Sequence, residues 1–160
     1  MALWTFQDQQ DIKPIDQHNE HRFDQIQRET QEGSLRNLIG VQMYNEVMND
    51  QAKFATLIDG GEFYDGAYLI TFKGLRYVCA YLFYANYVRQ SFVTDTFTGF
   101  QQYQQDGATR ISGGTIEQLA KQSEIQAGTY FDDCKYYLRL ANISSFYPQK
   151  DRKSIKIDSL

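Results

Sequence analysis

The segment that most constrains this chain is Phe92–Ser112, FVTDTFTGFQQYQQDGATRIS, set between two strongly helical patterns. Its first half is Phe, Val and Thr, whose branched and aromatic side chains suit a pleated surface. Gly99 and Asp106-Gly107 supply turn chemistry, and the chain returns through Thr109 and Ile111. The expectation is a two-stranded ribbon inserted between helices. Its polar positions are mostly Gln, Thr and Ser. An isolated ribbon is marginal in water, and an edge with few charges is a template for pairing with another chain. Val93, Phe97, Thr98, Phe100 and Tyr103 are therefore expected at a contact with another subunit, most simply a copy of the same chain. That points to assembly and away from catalysis.

The flanking patterns define a helical domain. Gly74–Gln90 reads GLRYVCAYLFYANYVRQ, apolar nearly all round, and is expected to be the central helix. Thr115 with Gln118 reads as a capping box opening a long helix. Ile116, Leu119, Ala120, Ser123, Ala127, Tyr130, Cys134, Tyr137, Leu138 and Ala141 recur along it with helical period, with Gly128 as a weak spot. Upstream, Asp16 is the expected N-cap of a helix to about Glu32, interrupted by Gly33-Ser34. Ser34 then caps a second helix carrying Leu35, Leu38, Ile39, Met43 and Val47. A short helix follows at Lys53–Ile58, closed by Asp59-Gly60-Gly61, and Phe63–Phe72 reads as one short strand.

The fold class is accordingly mainly α: a bundle of four to five helices over 16–148, with a protruding ribbon at 92–112. Residues 1–15 read as an N-terminal arm and 149–160 as a charged C-terminal tail. The arm carries Leu3, Trp4 and Phe6; Pro14 excludes helix around it, and the apolar residues call for docking on the chain's own core or on a neighbour. The tail carries Ile155 and Ile157. Both segments are expected to be free in the monomer, and at least one to order on a partner.

Composition narrows function. The chain has 160 residues, 42% of them hydrophobic and 15% aromatic, enough for one folded domain. Tyr (12) and Phe (11) far outnumber Trp (1), and Tyr is common both at protein contacts and half-buried in cores. A net charge of −4 argues against tight nucleic-acid binding but not against passage of DNA past the surface. No apolar run reaches membrane-span length, and the N-terminus lacks a signal-peptide layout. Cys79 and Cys134 sit in apolar helical patterns and read as buried free thiols of a reducing cytoplasm.

No constellation reads as an active site. His18 and His21, three apart, are the only histidines, and a solvated helix face explains them better than metal ligation. Asp132-Asp133 point in different directions on a helix. The glycine pairs match neither GxxxxGK[ST] nor GxGxxG, and no Ser or Cys lies in a nucleophile elbow. No cofactor or metal is expected.

The stretch RFDQIQRETQ followed by SLRNLIG, the GGEFYDG–FKGL joint, the YLFYANYV helix, TFTGFQQ and a YYLRLA…YP ending together resemble head–tail connector proteins of tailed bacteriophages. The likeness covers residues 21–148 and is nearest to the ring-forming connectors of crAss-like phages. The resemblance implies a virion protein, assembled in the bacterial cytoplasm, that forms a ring of about twelve copies under the portal. It implies portal and adjacent tail rings as partners, and double-stranded DNA passing through the lumen without sequence-specific contact. A tail-terminator or head-completion role is the near alternative. A cytosolic helical binding module is the alternative from outside the viral class. The family brings no catalytic residues.

Overall fold

The computed structural model describes residues 2–15, 20–91, 94–96, 99–101 and 113–141, with backbone only for Glu20, His21, Ser91 and the strands at 94–101. Helices dominate. Their order is α1 (Phe6–Ile12), α2 (Glu20–Glu29), a π-helical stretch (Thr30–Leu35), α3 (Arg36–Ile39), α4 (Val41–Asn49), α5 (Ala55–Asp59), α6 (Gly74–Ser91) and α7 (Gly113–Leu140). Two antiparallel ribbons interrupt them: β1 (Gly61–Asp65) with β2 (Tyr68–Phe72), and β3 (Thr94–Thr96) with β4 (Gly99–Gln101). The helical bundle with a protruding ribbon is thus the architecture observed.

Helix α6 is central. Leu75, Val78, Cys79, Ala80, Phe83 and Ala85 are all fully buried along it. Helix α7 packs along its length through Ala127, Phe131, Cys134 and Leu138. On the opposite side α2 and the π stretch bring Phe23, Ile26 and Leu35 into the same core. The aromatic residues interlock there: Phe23 meets Phe83 at 5.0 Å between ring centres, and Trp4 lies edge-on to both.

The helix does not break at Gly33-Ser34. The chain runs through it as a π-helix, whose wider turn absorbs an extra residue. Asn86 of α6 fixes this turn, donating from Nδ2 to Thr30 Oγ1 at 2.9 Å and to Ser34 Oγ at 3.1 Å. Thr30 is fully buried, so its hydroxyl requires a partner. Ser34 is therefore not an N-cap but a mid-helix residue, and the single helix expected over Ser34–Val47 is divided at Gly40. There φ is +85°, a conformation that ends α3 and redirects the chain into α4.

Residues 2–15 are not a free arm. Thr5 caps α1 in a full capping box: the Thr5 N–H donates to Asp8 Oδ2 at 2.7 Å, and the Asp8 N–H donates to Thr5 Oγ1 at 3.2 Å. Leu3 and Trp4 are 3% and 1% exposed, inside the chain's own core, and Phe6 packs on Phe23 at 5.4 Å. Polar groups complete the seat. The Trp4 indole donates to Gln9 Oε1, and Gln9 donates to the carbonyls of Lys13 and Ala80. The Leu3 N–H donates to Gln31 Oε1, and Gln27 donates to the Trp4 carbonyl. A lone Trp with this many satisfied neighbours is a core residue. Leu3 and Trp4 are not available as anchors for a partner.

Phe63–Phe72 is likewise not one strand but a hairpin. Gly66 (φ +59°) and Ala67 turn the chain, with Tyr64 opposite Leu69 and Asp65 opposite Tyr68. Helix α7 begins at Gly113, so Thr115 lies within its first turn and does not precede it. It continues unbroken through Gly128.

Candidate functional site

Among the described residues, the features best placed to contact another molecule are the two ribbons. The β1–β2 hairpin starts from a tight backbone crossing. The chain leaves α5 at Gly60 (φ +83°) and re-enters helix at Gly74 (φ +72°). A β-carbon on Gly74 would stand 2.3 Å from the Gly60 nitrogen and 2.6 Å from the Ile58 carbonyl oxygen. One on Gly60 would stand 2.5 Å from the Phe72 carbonyl oxygen. Only glycine permits that approach, which locks the hairpin to the helices.

The two faces of the hairpin differ. Phe63, Ile70 and Phe72 share the inner face. Phe72 stacks on Tyr137 at 4.7 Å, and Phe63 meets Tyr136 and Tyr137 at 5.7 and 5.6 Å. The Tyr136 hydroxyl donates to Asp65 Oδ2 at the turn. That hydrogen bond holds the proton on the phenol and raises its pKa. The outer face carries Glu62 opposite Thr71 and Tyr64 opposite Leu69. Tyr64, Tyr68 and Leu69 are 70%, 78% and 52% exposed, a concentration of large apolar groups at one place.

The second ribbon lies in the segment singled out from sequence, but its return strand is Gly99–Gln101, so Gly99 stands in a strand; Asp106-Gly107, Thr109 and Ile111, expected at the turn and on the returning strand, lie outside the described residues. The strands pair as Thr94 with Gln101, Asp95 with Phe100 and Thr96 with Gly99, joined through residues 97 and 98. Among the described residues, neither strand has any other strand partner. Phe100 is described by its backbone; Val93, Phe97, Thr98, Tyr103, Ile155 and Ile157 lie outside the described residues. The two helices that flank the ribbon are clamped together. Arg89, in the last turn of α6, reaches Glu117 of α7 at 2.8 Å and Glu124 at 2.5 Å. Its fork engages both oxygens of Glu117, from Nη2 and Nε. Hydrogen bonding to Glu117 and then Glu124 raises the Arg89 pKa, and the same bond lowers that of Glu117.

Other chemistry is sparse among the described residues. Cys79 and Cys134 are fully buried free thiols, as expected, and burial pushes Cys134 up to about 12 and Cys79 still higher. No group of three or more His, Cys, Asp or Glu is placed to hold a metal ion among the described residues. His18 and the side chain of His21 lie outside them. Asp132 and Asp133 are both exposed, and Asp132 pairs with Lys135. Lys13 lies over the rings of Tyr84 and Tyr81, at 4.6 and 5.4 Å, beside a shallow groove of about 200 Å³ reaching Gln122 and Ser123. No helix among the described residues is long and apolar enough to cross a membrane.

The sequence reading missed the hairpin, although Asp65-Gly66 between Phe63-Tyr64 and Tyr68-Leu69-Ile70 is a strong short-range turn signal. Comparison with known families places residues 35–154, from the end of the π-helical stretch to beyond α7, in a family of unknown function, DUF6712. The match spans most of the chain, so the protein belongs to that family. No curated protein and no solved structure matches it.

Proposed function

We propose that the protein is a structural ring protein of the head–tail junction of a tailed bacteriophage. In this reading it is a connector that assembles under the portal, extends the DNA channel, and offers a platform to the next tail ring. The observation that carries the proposal is the β3–β4 ribbon between α6 and α7, whose strands pair only with each other among the described residues. Strand edges satisfied across subunits are a direct route to a ring, because a head-to-tail contact closes when its rotation divides the circle. The Arg89–Glu117–Glu124 clamp supports this role by tying together the two helices between which the ribbon is inserted. The resemblance of residues 21–148 to phage connectors agrees in kind. A net charge of −4 suits a lumen through which DNA slides without adhering.

Mass photometry of the purified chain, alone and with its portal protein, tests the proposal. The expected result is a closed ring in at least one condition. Replacing Phe97–Tyr103 by a short Gly-Ser loop should leave a folded monomer under both. A wild-type chain that remains monomeric in both conditions would refute the connector reading. Normal rings from the loop variant would show that the ribbon is not the assembly device.

A further inference from the structure

The outer face of the β1–β2 hairpin is exposed and carries large apolar groups. On that face Tyr64 and Leu69 stand opposite each other, both exposed; Tyr68, opposite Asp65 at the turn, alternates onto the other face and is exposed at its end. Helix α7 lies along β2, and among the described residues no strand pairs with the far edge of β1. The charges on the hairpin strands are acidic, Glu62 and Asp65. Residues 149–160, outside the described residues, read QKDRKSIKIDSL. Lys150, Arg152, Lys153 and Lys156 make that segment basic, and Lys153, Ile155 and Ile157 recur at every second position. An alternating pattern of this kind places those three side chains on one face of an extended strand.

We propose that residues 150–157 of one copy add as a third strand along β1 of a neighbouring copy. Ile155 and Ile157 then cover Tyr64 and Leu69, and the lysines meet Glu62 and the acidic turn. The inference rests on the self-assembly reading above and names a contact for it. Strand addition supplies backbone hydrogen bonds along the edge, and the apolar pair supplies register. Each subunit offers one donor segment and one acceptor hairpin, which is the directional contact a ring requires. The competing occupant is the same subunit's own segment. Helix α7 ends at Leu140, one turn beyond the tyrosines that seat the hairpin, so the donor is rooted near its own acceptor.

Two experiments on the full-length chain decide it. In the first, Ile155→Ser/Ile157→Ser removes the chain's own donor, and a fluorescent synthetic peptide of residues 149–160 is titrated onto it. Saturable binding is expected, weakened by salt and reduced at least about tenfold when Tyr64→Ser/Leu69→Ser is added, since the lost contacts are the apolar anchors. Because Tyr64 and Leu69 are exposed, those substitutions spare the fold, and circular dichroism checks that. No binding, or binding indifferent to the hairpin substitutions, would overturn the proposal even if rings form, and the connector reading would then stand without it. In the second, Leu69→Cys/Ile157→Cys is oxidised; the native cysteines are buried and do not interfere. A ladder of cross-linked chains is expected. A disulfide formed only within single chains would assign the segment to its own subunit and refute the contact between copies.

Discussion

The backbone crossing at Gly74 makes a prediction that can be separated into parts. Gly74→Ala introduces a β-carbon at φ +72°, which costs about 1–2 kcal/mol for an L-residue in the left-handed region. It also places that carbon within 2.3–2.8 Å of three backbone atoms, those of Gly60, Ile58 and Asp59. Backbone atoms cannot rotate aside, so α5 and α6 must move apart, disturbing Ile58 and Leu75 in the core. Overpacking of this type costs about 1–3 kcal/mol more. The expected total is about 2–5 kcal/mol. Gly66→Ala isolates the first term, because Gly66 also has positive φ (+59°) but nothing within 4 Å of the added carbon. It should cost only about 1–2 kcal/mol. Urea unfolding of both variants, followed by circular dichroism and fitted with a common slope, measures the difference. If Gly74→Ala costs no more than Gly66→Ala, the close approach contributes nothing and the account of the hairpin root is wrong.

Further outcomes follow from the core. Trp4→Ala should cost about 3–5 kcal/mol, and hydrogen exchange should show residues 3–12 protected in the monomer, because the N-terminal segment belongs to the domain; rapid exchange there would contradict its burial. Leu82→Ala should cost about 2–5 kcal/mol, and a loss below about half a kcal/mol would mean that its place in the core is misjudged. Gly128→Ala, in open space inside α7, should stabilise the chain by about 0.5–1 kcal/mol, read as a raised urea midpoint. Cys79 and Cys134 should resist a thiol reagent until the protein unfolds. Burial raises both thiol pKa values in the folded state, so their contribution to stability is complete below the unfolded value near 9 and declines as pH rises towards about 12; stability that increases over that interval would refute the burial.

Periodicity located what periodicity encodes. The apolar α6 and the repeating face of α7 were legible because burial there is continuous over many turns, and the inserted ribbon was legible because Val, Thr and Phe replace that period abruptly. Glycine was harder to read. Gly33 looked like a break and Gly40 did not, although only Gly40 takes a positive φ. What rescues the helix at Gly33 is Asn86, more than fifty residues away, through its bonds to Thr30 and Ser34. A local window cannot contain that partner. Trp4 failed for the same reason. Its neighbours Phe23 and Phe83 come from α2 and α6, and a short apolar run before a proline has no periodicity to announce that a core awaits it.

The hairpin shows a different limit. Its turn signal was present at Asp65-Gly66, but Phe63–Phe72 offers too little alternation to divide into two strands by pattern alone. What determines the outcome is the pair of glycines outside it. Gly60 and Gly74 bring the two ends of the segment into backbone contact, and a segment of this length with joined ends must reverse at its middle. The inner face then packs on Tyr136 and Tyr137, and the alternation of strand side chains forces Tyr64 and Leu69 outward. Exposure of those two residues is therefore a consequence of the root and of the inner face together. Burying them within the monomer would need a further layer on the hairpin, which no described residue supplies. The ribbon at 92–112 drew attention in the sequence because its edge looked wrong for water. The hairpin carries the same kind of edge, and its significance emerges only once the fold has fixed which face α7 has already taken.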